Sequence, residues 1–157
     1  MSLETSFLGL LEAIEGSGPI AALRESTFAY PLVNTLHILG IALLFGSIVA
    51  LDLRLIGWRR EAGQADRIAR LLQPVAVAGL LAAIPAGLLL FATDARAYAA
   101  APLFQAKMVL IALAVANAIW LRAIDWRERR RTVGLWAAAS ILLWMGVIVC
   151  GRLIGYF

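Results

Sequence analysis

The chain has 157 residues, of which 62% are hydrophobic, and its mean hydropathy is +0.87. Soluble domains contain about 45–50% apolar residues, so this composition excludes an ordinary soluble protein and predicts an integral membrane protein embedded in a lipid bilayer. The net charge is +4, but the basic residues cluster beside apolar blocks, where they set membrane topology, so we exclude a nucleic-acid partner. The single Cys150 excludes an intrachain disulfide and a cysteine-based zinc site.

Residues 1–27 precede the first apolar block and form an external segment of their own. Apolar residues recur there at helical spacing, namely Phe7, Leu10, Leu11 and Ile14. This spacing predicts a short amphipathic helix, ended by residues 16–19, that lies at the outer membrane interface or packs on the protein or a partner. The segment lacks the basic start and apolar core of a cleavable signal, so we expect the first span to act as the insertion signal.

Four long apolar blocks follow within residues 28–157. They cover about residues 28–51, 71–93, 103–121 and 133–154. A helix needs ~20 residues to cross ~30 Å of hydrocarbon, so each block is long enough to span a bilayer. The blocks are continuous and rich in Leu and Ala, which is typical of helices and not of alternating barrel strands. The sequence therefore predicts an all-α fold, a four-helix transmembrane bundle with a short N-terminal amphipathic helix.

The basic residues are divided unevenly between the two sides of these spans. Ten of the 14 Lys and Arg residues lie between spans one and two or between spans three and four. The other four are Arg24, Arg96, Lys107 and Arg152. Because loops rich in Lys and Arg stay in the cytoplasm, we expect a multi-pass protein of a bacterial inner membrane with both termini in the periplasm. The connection at residues 94–102 is then also periplasmic.

The only histidine of the chain, His37, lies in the first span, roughly 13 Å below its start at ~1.5 Å per residue. An ionisable group at membrane depth is costly and is usually paired or functional. Asn34 lies on the same helix face, and Gly40 is one turn further into the span. A glycine at this position would let another helix, or a flat ligand, approach the backbone.

Ionisable groups and tyrosines from four segments fall in the same outer half of the predicted bundle. They are His37, Asp94, Arg96, Lys107 and Arg152, with Tyr30, Tyr98 and Tyr156. Arg96, Arg152 and the tyrosines are also typical of ordinary interfacial anchors. The convergence of four segments nevertheless favours a polar site in this half. Deeper polar residues are interpreted structurally, with Asp52 and Arg54 as an interfacial charge network and Asn117 as an interhelical hydrogen-bonding residue.

A neutral imidazole is a ligand for haem iron and for copper. A haem requires one or two axial ligands, a flat apolar slot and cations for its propionates. His37 would be the axial ligand to haem b. Gly40 would provide space for the porphyrin on the helix face that also carries Asn34. Lys107, Arg96 or Arg152 would bind the propionates. Met108 and Met145 are candidate sixth ligands, although packing is their commoner role. One His, one Cys and few Met residues do not form an obvious copper site.

Four stretches of the chain and Lys107 resemble a family of small bacterial four-span membrane proteins of unknown function. The stretches are TLHILG at 35–40, DLRLIG at 52–57, GLLLFATDA at 87–95 and GRLIGYF at 151–157. The resemblance covers nearly the whole chain from residue 28 onward and implies no particular activity.

A second resemblance is more distant. A histidine in an early span and a third span that begins with Pro102 and carries Lys107 are similar to two larger groups: the membrane-bound, haem-b-binding protoporphyrinogen oxidase and the transmembrane domain of copper-resistance D proteins. In the haem group the matching histidine and lysine are the essential pair, which implies a role for His37 and Lys107. The chain departs from the oxidase pattern by having Asp52-Leu53-Arg54 where a tryptophan and a basic, aromatic motif are expected.

Three functions follow from this reasoning, in order of preference. The first is an inner-membrane haem-b protein in electron transfer or a small redox reaction. The second is a non-catalytic accessory or scaffold subunit of a larger membrane complex, in which His37 is only hydrogen-bonded to Asn34 or to a neighbouring carbonyl. The third is copper or small-solute transport. The alternatives for assembly of the chain are a larger membrane complex and a homo-oligomer.

Overall fold

The computed structural model describes residues 3–57, 64–123 and 130–156. Within these ranges the regular elements are seven α-helices, and there are no strands. They are α1 Leu3–Glu15, α2 Gly18–Glu25, α3 Ala29–Ile56, α4 Gln64–Ala92, α5 Ala95–Ala100, α6 Pro102–Ala123 and α7 Arg130–Leu153. The all-α prediction is confirmed.

The four long helices α3, α4, α6 and α7 are each long and apolar enough to cross a membrane. This result confirms the predicted four spans and is consistent with a multi-pass membrane protein. The ends of two helices differ from the prediction, because α3 continues past residue 51 to Ile56 and α4 begins before residue 71, at Gln64. Apolar blocks mark only the segment suited to lipid, whereas a helix also continues through polar residues such as Arg, Gln and Glu, which have good helix propensity.

Helix α3 is central in the bundle. It packs closely against α4 on one side and α7 on the other, and α7 also packs against α6. In the described part of the chain, the backbones of α4 and α6 stay farther apart, and the two helices meet through side chains such as Phe91 and Phe104. The buried apolar residues Leu44, Ala114, Trp144 and Val147 form a core cluster among α3, α6 and α7.

The backbones of α3 and α4 approach each other at small residues. A Cβ atom on Gly40 would lie 2.7 Å from the Ala83 nitrogen and 2.8 Å from the Gly79 oxygen, and one on Gly79 would lie 2.6 Å from the Gly40 oxygen. Small residues that permit such an approach are typical of helix packing in membranes, where dispersion contacts stabilise helix association. Glycine is therefore required at both positions for this packing.

The outer faces of the long helices carry many exposed apolar side chains, including Leu32, Leu71, Leu88 and Leu142. Monomeric soluble proteins rarely expose apolar patches larger than a few hundred Å². Exposing apolar side chains costs little free energy when they face lipid hydrocarbon. The exposed surface therefore indicates contact with a lipid bilayer.

The N-terminal segment packs on one end of the bundle. The predicted amphipathic helix is present as α1, which contacts α4 and α5. Helix α2 was not predicted, because the glycines and Pro19 were interpreted only as the end of the first helix. Pro19 lies in the first turn of α2, where its missing N–H has no intrahelical partner to lose.

The two ends of the bundle differ. We call the end that carries α1, α2, α5 and the last turn of α7 the terminal end, and the end where α3 stops and α4 begins the loop end. Gly57 ends α3 at the loop end in the left-handed conformation, with φ of 105°, and its N–H donates to the Arg54 carbonyl. Several arginines on which the predicted orientation rests, at 59, 60, 127 and 129, lie outside the described residues.

Candidate functional site

The imidazole of His37 is directed from α3 toward α4. Its Nδ1 atom lies 2.8 Å from the carbonyl oxygen of Ala83. A carbonyl oxygen only accepts, so Nδ1 carries the proton and donates it in this hydrogen bond. In the neutral ring the lone pair is then on Nε2, the nitrogen available to a metal ion or a proton donor.

The local structure of α4 makes room for this ring. A Cβ atom on Gly87 would lie 2.8 Å from Cε1 of His37 and 3.2 Å from Nδ1. Gly79, Ala83 and Gly87 recur every four residues, so they line one face of α4 and meet Gly40 and His37 of the antiparallel α3. This repeat of small residues is the signal in the sequence that could have identified the helix against which His37 packs.

The second ring nitrogen, Nε2, has no hydrogen-bond partner among residues 3–57, 64–123 and 130–156. The residue as a whole is half-buried. Asn34, which was predicted on the same face, is exposed and does not bind the ring. His37 is therefore anchored through one nitrogen only.

Lys107 belongs to the same end of the bundle. It lies in the second turn of α6, and its ammonium group rests against α7, where a Cβ atom on Gly151 would be 3.3 Å from Nζ. Gly151 thus leaves space for the ammonium group of Lys107 at the terminal end of the bundle.

The two predicted arginines have other partners. Arg96 is fixed to α1, because its guanidinium pairs with Glu12 and its backbone N–H donates to Glu15 at 2.6 Å. Arg152 is exposed, donates to the Tyr156 hydroxyl at 2.7 Å and lies over the Tyr156 ring. The structure places Lys107 and His37 toward the same end of the bundle and pairs Arg96 with the N-terminal segment.

Gly40, predicted as space for a second helix or a flat ligand, has α4 against it. The second-helix alternative accounts for this glycine. Met108 and Met145, the candidate sixth ligands, both have side chains that are about half exposed on the outside of the bundle. Neither methionine is enclosed in the core beside His37.

An aromatic cluster covers the terminal end between α4 and α6. The Phe91 and Phe104 rings stack with centroids 5.2 Å apart, and Tyr98 of α5 lies 6.1 Å from Phe104. Burial raises the pKa of the Tyr98 hydroxyl, and the nearby Tyr30 and Asp94 raise it further. Tyr98 is therefore partly buried against the aromatic cluster and is not a fully exposed interfacial anchor.

No protein-family model, curated protein or solved structure matches this chain. The family resemblances drawn from the sequence accordingly stay predictions.

The polar residues at the loop end differ from the prediction in one respect. Asn117 donates from Nδ2 to the Trp136 carbonyl at 3.1 Å, which confirms the predicted interhelical hydrogen bond. Asp52, however, is only 3% exposed and accepts a hydrogen bond from Ser140 of α7, with no ion pair in the described part of the chain. The interfacial charge network was wrong for Asp52, because α3 continues to Ile56 and keeps this residue inside the bundle.

Proposed function

We propose that this chain is a membrane haem-b protein that acts in electron transfer or a small redox reaction, with Nε2 of His37 as an axial ligand to the haem iron. The observation that carries the proposal is the hydrogen bond from His37 Nδ1 to the Ala83 carbonyl. Histidines that bind metals usually donate their other N–H to a carbonyl or carboxylate, which fixes the tautomer and the ring orientation. His37 has this second partner, and its Nε2 has none in the part of the chain that the structure describes.

The donor set favours haem over a bare metal ion. In the described ranges, no three His, Cys, Asp or Glu side chains form a group that could hold a metal. A copper ion would need several protein ligands, whereas a porphyrin brings four nitrogen ligands and needs only one or two from the protein. One anchored imidazole is therefore sufficient for haem, and we rank copper transport below it.

The residues around His37 have separate roles in this proposal. Haem, when bound, supplies one-electron exchange. Gly40 and Gly87 let α3 and α4 approach and hold the imidazole at Ala83. Lys107 provides a cation for a propionate, and the exposed Arg152 is a second cation at the same end of the bundle. Arg96 is left out, because Glu12 and Glu15 already pair with it.

The proposed location is a bacterial inner membrane with the terminal end in the periplasm. The distribution of ten against four Lys and Arg residues supports this orientation. The haem site would then lie in the periplasmic half of the bilayer, where a periplasmic or membrane electron carrier could reach it.

One observation favours a second candidate, an accessory subunit of a larger membrane complex. The His37–Ala83 hydrogen bond also joins α3 to α4, as a purely structural histidine would. In addition, α1 is fixed to α5 by ion pairs while Phe7, Leu8 and Leu10 stay exposed. An exposed apolar face on a fixed arm would suit a membrane partner as well as lipid.

The absorption spectrum of the purified protein separates the two candidates. Haemin is added to the full chain in detergent, and the Soret band that co-elutes with the protein is measured. We expect a band in the wild type and in the control Thr35→Ala, which alters an exposed neighbour on α3, and no band in His37→Ala. A folded wild type without a Soret band overturns the haem proposal. Assembly of a larger membrane complex that is unchanged in His37→Ala would then favour the accessory role.

A further inference from the structure

A second polar centre lies at the loop end of the bundle, away from His37. Its members are Asp52 and Ser47 of α3 and Ser140 of α7, and all three are more than nine-tenths buried. Ser140 donates a hydrogen bond to the Asp52 carboxylate. The Oδ2 atom of Asp52 is buried and has no hydrogen-bond partner among the residues that the structure describes.

A cavity adjoins this carboxylate. Its volume is about 90 Å³, and all four long helices line it. The polar lining consists of Ser47 and Asp52 from α3, Gln73 from α4, Arg122 from α6 and Ser140 from α7. A buried water requires roughly 10–15 Å³ and two to four polar partners, so several waters fit here. Arg122 is exposed, so the cavity extends to the surface at the loop end.

The charge of Asp52 requires compensation. Within the described ranges Arg122, which lines the same cavity, forms no ion pair with Asp52. From α4 and α7 the cavity receives only the neutral groups Gln73 and Ser140 as polar neighbours. An isolated carboxylate in a water-poor interior costs several kcal/mol or more, and such groups become neutral or bind a cation. Ionisable groups inside membrane bundles accordingly mark ion and proton pathways.

We propose that this cavity is a proton-binding site, in which Asp52 takes up and releases a proton exchanged with water from the loop end. In uptake, a lone pair of the carboxylate forms an O–H bond with a proton of hydronium, which leaves as water. Release is the reverse step. The Ser140 hydroxyl continues to donate to the carboxyl group in both states, and Oδ2 is the oxygen with free capacity for the proton. This inference is independent of what His37 binds.

Infrared spectroscopy of the full chain in lipid tests the proposal, because a protonated carboxyl group has a C=O stretching band separate from that of a carboxylate. Spectra are recorded from acidic to alkaline pH, in H₂O and in D₂O. We expect a band that disappears as the pH rises and shifts in D₂O, that is lost in Asp52→Asn and that is kept in the control Asp94→Asn. Asp94 is an exposed aspartate at the other end of the bundle. Circular dichroism verifies that both variants are folded.

A second variant tests the route. Ala118 of α6 lines the cavity, so Ala118→Leu fills part of it without touching the carboxyl group chemically. We expect the Asp52 band to remain in this variant and its shift in D₂O to become at least several-fold slower. An unchanged rate of exchange would overturn the cavity as the path of the proton.

Three other results would overturn the proposal. A difference spectrum of wild type minus Asp52→Asn that contains no pH-dependent C=O band would assign the titrating bands to the other carboxyl groups of the chain. A band of Asp52 that does not change with pH would make the group a permanent hydrogen-bond donor. Absence of the band, together with a thermal stabilisation by Na⁺ but not K⁺ that Asp52→Asn removes, would replace the proton with a sodium ion.

Discussion

Gly87 of α4 lies directly against the imidazole of His37 on α3. A Cβ atom at position 87 would be 2.8 Å from Cε1, which is closer than two such atoms can approach. The ring is therefore held between a glycine and the carbonyl group of Ala83, one turn earlier on the same helix. This contact couples the helix packing of α3 and α4 to the position of the one nitrogen donor that the proposed function requires.

The substitution Gly87→Ala tests this coupling. The added methyl group must displace the ring and break its hydrogen bond to Ala83, so we expect a loss of stability of about 1–3 kcal/mol, as for other overpacked sites. Haemin binding is expected to weaken in parallel. Thermal unfolding in detergent and a haemin titration measure the two effects.

Gly46→Ala is the matched control for this variant. Gly46 lies inside a long helix as Gly87 does, in α3 instead of α4, but nothing is within 4 Å of a Cβ atom built there. Alanine has the higher helix propensity, so the control is expected to be neutral or more stable by up to about 1 kcal/mol. Equal effects of the two substitutions on stability and haemin binding would show that the contact between residue 87 and the His37 ring does not cause the loss.

The ion pairs between Arg96 and α1 predict how the N-terminal segment is held. Arg96→Gln removes the cationic partner of Glu12 and Glu15. The side chains of Arg96 and Glu12 are largely exposed, so we expect the global stability to change by less than about 1 kcal/mol. The junction between α1 and α2 should nevertheless become more sensitive to protease. Cleavage is measured in membranes at low and high salt, because screening weakens exposed ion pairs.

Arg152→Gln provides the comparison, since Arg152 is exposed at the same end of the bundle and contacts Tyr156 instead of α1. Cleavage that increases equally in both variants would indicate a general loosening of the terminal end. Cleavage that is unchanged in Arg96→Gln would contradict a role of these ion pairs in docking the arm.

The raised pKa of the Tyr98 hydroxyl leads us to expect that the protein loses stability at alkaline pH. Burial, then Tyr30 and Asp94, raise the pKa of the folded hydroxyl above the unfolded value of about 10. The neutral form is therefore favoured in the folded state, and its stabilising contribution is complete below the unfolded pKa. As the pH rises from that value through the folded pKa, the unfolded chain loses its proton first and stability declines.

Tyr98→Phe removes this titration. We expect the variant to lose less stability than the wild type above pH about 10, measured as helicity against pH. Tyr156→Phe, at an exposed tyrosine, should follow the wild-type curve. If Tyr98→Phe and the wild type lose helicity in step, the burial of Tyr98 does not contribute to alkaline sensitivity.

The sequence was informative where the membrane itself determines the structure. Continuous apolar blocks predicted the four spans, because only lipid tolerates such surfaces, and helical depth predicted that His37 and Lys107 share one end. The partner of His37 was only partly predicted, since the sequence left Asn34 and a carbonyl as alternatives. The choice of Ala83 depends on which face of α4 packs against α3, and that is a tertiary property.

Two other features depended on contacts between distant segments. The pairing of Arg96 with Glu12 and Glu15 joins residues more than 80 positions apart, and nothing local to either segment indicates it. Asp52 stands at the end of an apolar block, where an interfacial position is the natural expectation. Its burial follows from the continuation of α3 and from the position of Ser140 on α7.

Nitrogen-15 NMR of the histidine side chain reports whether Nε2 of His37 is free to bind a porphyrin metal, because the chain contains one histidine and its two ring nitrogens are resolved without ambiguity. Zinc protoporphyrin is the diamagnetic probe for an axial ligand. We expect a neutral ring with the proton on Nδ1, and a large shift of the Nε2 signal when the porphyrin is added to the wild type. A ring protonated at Nε2, or an Nε2 signal that does not respond to the porphyrin, would contradict this expectation.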